Sequence, residues 1–300
     1  MLRSLFALLC CLCAAPAPAA ERLRVVTTLP DLADWVRQIG GERVEATSLL
    51  RGFEDPHTYE PRVSDARDLA RARVLVKVGL GLEEWLDGLV ESAGSPELRI
   101  VEASQGVPVL EDEADQHGHR HGHGHAHALG NPHVWLSPEN AALMCRTIAE
   151  ALTAADPGGA ETYRGNLEAY LARLEALAAR LRREAKTLPD RRFLAYHSSW
   201  PYFARSLGLE QAGVVAPIPG QEPSARALAA LVQRIRRDKL RVLVSEPQLS
   251  SKMPDLLAQE AGIRVVTLST LLGPEGPESY LELLEHNAQA LLRALREPSP

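Results

Sequence analysis

The 300-residue chain carries 33 Lys and Arg against 39 Asp and Glu, a formal charge of -6. A mildly acidic balance does not recommend nucleic acid or an anionic lipid surface, so neither is expected as a partner. The length suffices for two lobes, each with its own core.

At the start, Arg3 precedes an apolar run from Leu5 to Cys13, and the small residues of AAPAPAA close the segment. That three-part layout predicts a secretory signal peptide over residues 1–20, with cleavage near Ala19 or Ala20 and a mature chain from Glu21. The run is shorter than the about 20 apolar residues a spanning helix needs, and no later segment reaches that length. The mature protein is therefore expected to be soluble outside the cytoplasm, in the periplasm. Loss of Arg3 makes the charge one unit more negative. Cys10, Cys11 and Cys13 leave with the segment, and Cys145 alone cannot form an internal disulfide. A lipid anchor wants a small residue before the modified cysteine, whereas Leu9, Cys10 and Leu12 stand there.

Beyond Glu21, short β-branched runs alternate with helical patterns, which predicts α/β layering with mainly parallel sheets. Strands are expected over 22–28, 43–50, 73–79 and 98–102, then, after a long interruption, over 192–197, 212–217, 240–247 and 263–268. Four strands recur in each half, so two similar sheets flanked by helices are expected. Residues 111–130 are acidic and then His/Gly-rich without apolar periodicity, a composition that predicts a disordered loop. From Glu161 to Pro189 nothing breaks a helical pattern in which Leu167, Leu171, Leu174, Leu177 and Leu181 recur. A helix of that length runs about 40 Å at 1.5 Å per residue, enough to join both lobes as one stiff connector. The expected organisation is an N-terminal lobe over 21–158, the connector over 159–188 and a C-terminal lobe over 189–300.

Ten histidines raise the question of metal. Six of them, His117, His119, His121, His123, His125 and His127, alternate within DQHGHRHGHGHAH. Three others occupy strand ends or proline-bounded turns: His57 in EDPHTYEP, His133 in GNPHVWLSPEN and His197 in LAYHSSWPYF. Ligands of open α/β sheets bind beyond the carboxyl ends of strands, where His197 is expected. In the repeated Asp/Asn-Pro-His triplet, proline fixes the backbone and Asp55 or Asn131 can hold the turn. His286 falls within an amphipathic pattern and reads as helix surface. Three neutral imidazoles from separate segments suit a borderline-soft divalent ion, Zn²⁺ above all. Their separations, 76 and 64 residues, match no short zinc motif, and H-E-x-x-H is absent from the sequence.

The stretch EDPHTYEPRVSDARDLARARVLVKVGLGLEEWLDGLV, followed by NPHVWLSPENA, resembles the zinc-binding periplasmic receptors of ABC importers, in the class whose lobes are joined by one long helix. The likeness continues through GQEPSARALAALVQRIR and GPESYLELLEHN. It implies capture of free Zn²⁺ and delivery to a membrane permease driven by a cytoplasmic ATPase. It also implies His57 and His133 as first-lobe ligands and His197 as the second-lobe ligand, where manganese-carrying relatives tend to have a carboxylate. The family usually supplies an aspartate after the last strand, but LSTLLGPEG places Thr270 there. Water can complete the tetrahedron, or another carboxylate can reach in. Glu246, ending a strand, is the first candidate for the fourth ligand, or else it orients an imidazole from behind; Glu222 reads as helix-capping.

The flexible tract is expected to hold zinc weakly beside one tight cleft site, because a preorganised site loses less entropy on binding. The chain is expected to act as a monomer, not to span a membrane, and not to be an enzyme. Two other functions remain open from sequence: a metallochaperone or storage protein with the same cleft, and a zinc hydrolase in which three histidines and an open position activate water. For the latter only Glu60 and Glu246 offer a general base.

Overall fold

The computed structural model describes residues 21–111, 129–216, 223–250 and 252–298. The expected signal segment, the alternating histidines from His117 to His127 and Glu222 lie outside the described residues. In the first half, β1 (Leu23–Thr27), β2 (Val44–Ser48), β3 (Val74–Lys77) and β4 (Arg99–Glu102) form a sheet of order β2-β1-β3-β4. In the second, β5 (Arg192–Ala195), β6 (Glu210–Val214), β7 (Val242–Ser245) and β8 (Arg264–Thr267) form a sheet of order β6-β5-β7-β8. Every pairing is parallel. The topology of the two sheets is thus the same.

Helices α1 (Pro30–Gly40), α2 (Val63–Arg71) and α3 (Leu86–Ala93) accompany the first sheet, and α6 (Pro201–Leu207), α7 (Ala225–Asp238) and α8 (Lys252–Ala261) the second. Between the sheets run α4 (Pro138–Ala155) and α5 (Ala160–Ala185), and the C-terminal α9 (Tyr280–Arg296) returns to pack on α5. Local chemistry starts these helices where it should. Ser137 accepts a hydrogen bond from Asn140 N–H and Pro138 occupies the first turn of α4, while Ser279 caps α9 in the same way.

With 26 residues, α5 is about 39 Å long. Its buried stripe is Tyr163, Tyr170, Leu174, Ala178, Leu181 and Ala185. Leu167, Leu171 and Leu177 are partly buried at its margin. Asn166 Nδ2 donates to Ile39 O at 2.9 Å near the helix start, and Arg182 Nε donates to Ser206 O at 2.9 Å near its end. One rigid rod therefore touches α1 on one side and α6 on the other.

The core departs from the expectation of two separate ones. A single apolar cluster runs from the first sheet through α4 and α5 to Phe193, Ala195, Val242 and Val244 of the second sheet. Alternate residues of those strands, Leu194 and Leu243, turn to a smaller cluster with Ile235 and Leu257 on the opposite face. The cause is the two-residue period of a strand: one face of the second sheet meets the shared helices, the other meets α7 and α8. The strand read over 212–217 begins earlier, at Glu210, directly after Gly208 ends α6 with φ +70°. No helix among the described residues is long and apolar enough to cross a membrane.

Candidate metal centre

The first triplet follows β2. Asp55 Oδ1 accepts His57 N–H at 2.9 Å, closing a turn over Pro56. Trp85 Nε1 donates to Pro56 O at 2.8 Å, and Trp85 packs edge-on against Tyr59 at a centroid distance of 4.9 Å. Tyr59 in turn donates to Asp65 Oδ2 at 2.7 Å at the start of α2. His57 is half-buried at the end of this chain of contacts.

The second triplet leads into α4. Asn131 Oδ1 accepts His133 N–H at 3.0 Å and also faces His133 Nδ1 at 3.0 Å. His133 is 3% exposed, with its ring beside the buried Trp135 at 5.3 Å. The third histidine stands two residues beyond β5, where the chain turns toward α6; His197 is 8% exposed.

These three side chains converge. Ring centroids lie 5.1 Å apart for His57 and His133, 5.6 Å for His57 and His197, and 5.3 Å for His133 and His197. One ligand atom from each lies within 4.8 Å of the others. The two Nε2 atoms of His57 and His133 stand 3.2 Å apart. Two imidazole nitrogens bound at about 2.0–2.1 Å to one tetrahedral Zn²⁺ are about 3.3 Å apart. The donor set and its spacing thus fit a borderline-soft divalent ion held between the two sheets.

Glu246, the carboxylate considered for a fourth position, is placed otherwise. Glu246 does not belong to the cluster of mutually close ligand atoms. Its Oε1 accepts Trp200 Nε1–H at 3.2 Å, and burial pushes its carboxyl up to about 7 although that hydrogen bond favours the charged form. Thr270 is buried, and its carbonyl accepts Trp135 Nε1–H at 2.8 Å. Glu60 and His286 are exposed.

Sequence reasoning missed the ties that join the halves around this cluster. Gln248 Nε2 donates to Gly52 O at 3.0 Å, and Asn131 Nδ2 donates to Ser198 O at 2.6 Å. Asp31 on α1 accepts Leu272 N–H at 3.1 Å through Oδ2, and Asp34 accepts Tyr280 N–H at 2.9 Å. The other oxygen of Asp31 has no hydrogen-bond partner among the described residues, and burial raises this carboxyl to about 7. Only for Asp31 and Asp34 was there a signal, two acids amid an otherwise apolar helical face.

Comparison with known proteins agrees with this architecture. The high-affinity zinc uptake system protein ZnuA of Bacillus subtilis is 32% identical over 281 residues, 92% of this chain and 88% of the relative. A crystal structure of ZnuA superposes with a TM-score of 0.80 at 31% identity, covering 92% of this chain and 100% of the other. A zinc-bound ZnuA deletion mutant gives 0.80 at 31% identity, covering 93% and 100%. Residues 25–294 match the family model described as ZnuA, zinc-uptake complex component A, periplasmic, and the chain belongs to that family.

Proposed function

We propose that this chain is the extracytoplasmic receptor of an ABC zinc importer: it captures Zn²⁺ between its two lobes and hands it to a membrane permease powered by a cytoplasmic ATPase. The observation that carries the reading is the meeting of His57, His133 and His197, with 3.2 Å between the Nε2 atoms of the first two. Zinc is the cargo, and His57, His133 and His197 are its ligands. The names of the relatives support uptake over storage, and they are receptors rather than enzymes.

In this reading the lobes are residues 21–158 and 189–300, with 159–188 as connector. Glu246 holds Trp200 and is not a fourth ligand; the position opposite the imidazoles is left to water. The signal segment delivers a monomer to the periplasm, and the histidines of 115–127 add weaker zinc sites. Zinc titration of a variant lacking residues 115–127 tests the division of labour. Retained tight binding supports the cleft, and loss of the tight site with the tract refutes it.

A further inference from the structure

Asn131 is 1% exposed, and both its backbone and its amide are fully engaged. Its N–H donates to Leu110 O at 2.8 Å. Its carbonyl accepts Tyr202 O–H at 2.7 Å, while the same hydroxyl accepts Leu110 N–H at 2.8 Å. Three groups thus close a ring of hydrogen bonds, with Tyr202 contributed by α6, which follows His197 in sequence.

The amide orientation is fixed by partners that cannot change role. A backbone N–H only donates, so the atom facing His133 N is the oxygen. A backbone carbonyl only accepts, so the atom 2.6 Å from Ser198 O is the nitrogen, which also approaches Ser198 Oγ at 3.4 Å. With the oxygen so placed, His133 Nδ1 must carry the proton it shares with Asn131. A neutral His133 then presents the Nε2 lone pair to the cluster.

We infer that Asn131 is the positioning residue of the metal centre: its amide selects the ring nitrogen of His133 that faces the ion and fastens that turn to the His197 segment of the other lobe. Asparagine is required because the amide must accept on one side and donate on the other. Asp55 accepts His57 N–H, a task for which a carboxylate suffices. An aspartate at 131 keeps the acceptor for His133 but sets a second acceptor oxygen against Ser198 O.

This inference rests on the histidines being the ligands, and the experiment separates the two. The mature protein, Asn131→Ala, Asn131→Asp and His133→Ala are compared by chelator-competition zinc binding and by ring-nitrogen NMR at pH 8, with exposed His286 as internal reference. The wild type is expected to show His133 as the Nδ1–H tautomer with and without zinc. Asn131→Ala is expected to mix the tautomers and weaken zinc binding about tenfold or more, in the range of partners that orient metal-bound histidines. Asn131→Asp is expected to keep the His133 tautomer while moving the His197 ring signals, a pattern that mere loss of stability does not produce. An Nε2–H tautomer in the wild type, wild-type zinc affinity in Asn131→Ala, or unmoved His197 signals in Asn131→Asp each overturns it. Wild-type affinity in His133→Ala removes the ligand reading and this inference together; a defect there with Asn131→Ala normal removes only the latter.

Discussion

The two X-Pro-His turns share a sequence pattern but are fastened to the second lobe by different means. Before the turn at Asp55, Gly52 O accepts Gln248 Nε2–H, and Gly52, with φ +95°, lies so near Leu272 that an added Cβ would come within 2.0 Å of its carbonyl oxygen. The turn at Asn131 is held by a side chain, whose amide spans from His133 to Ser198. A backbone-to-backbone approach tolerates only glycine, whereas a bridging amide demands a group that both donates and accepts. The same triplet therefore has different tolerances at its two occurrences, and substitutions can separate them.

The largest effect is expected at the histidines proposed as ligands. His133→Ala or His197→Ala should weaken the tight zinc site by more than about 100-fold, beyond the ~10–100-fold typical of supporting groups. Isothermal titration of the variant lacking 115–127 measures it without interference from the tract. Loss of less than tenfold in both would remove the cleft as the site.

Next comes the backbone contact of the first turn. Gly52→Ala forces Cβ onto Leu272 O and Gly273 Cα, at a cost of about 2–4 kcal/mol from combined strain and overpacking. Denaturant unfolding of the zinc-free protein reads this directly. Unchanged stability would show that the two lobes do not meet at Gly52.

A smaller effect distinguishes ligand from support at Glu246. Glu246→Gln keeps an acceptor oxygen for Trp200 and is expected to change zinc affinity by less than about tenfold, the lower bound for groups that act through a ligand. A 100-fold loss in competition binding would place the carboxylate on the metal after all.

A final effect, read against pH and not against zinc, concerns the seam near Gly52. Asp31 has a folded-state carboxyl at about 7, raised from 3.8 by burial. A raised acid pKa favours folding below the unfolded value, and that contribution is lost as pH climbs through the folded value. Asp31→Asn removes this dependence, so its stability relative to the wild type should improve steadily from pH 4 to pH 8. A difference independent of pH, measured by urea unfolding of zinc-free protein, would contradict the assignment.

Much of this architecture was legible in sequence. All eight expected strands exist, because β-branched runs such as VLVK, with Val74, Leu75 and Val76 fully buried, have no other stable use. The connector was readable from uninterrupted helical spacing, and the three histidines from their place at strand ends and proline turns. The continuous core was not readable, since strand alternation says that β5 has two faces but not which neighbour each one meets. The bridges were equally hidden: Asn131 and Ser198 are 67 residues apart, Gly52 and Gln248 are 196 apart, and nothing local in either pair marks a partner. The start of β6 was not readable because pairing begins at the polar Glu210 beside Arg192, ahead of the apolar Val214, Val215 and Ala216.

Zinc K-edge absorption of the variant lacking 115–127, loaded with one equivalent of metal, tests the centre most directly. Three imidazole nitrogens at about 2.0–2.1 Å are expected, with at most one further light ligand. A first shell with one imidazole or none would show that His57, His133 and His197 do not share an ion.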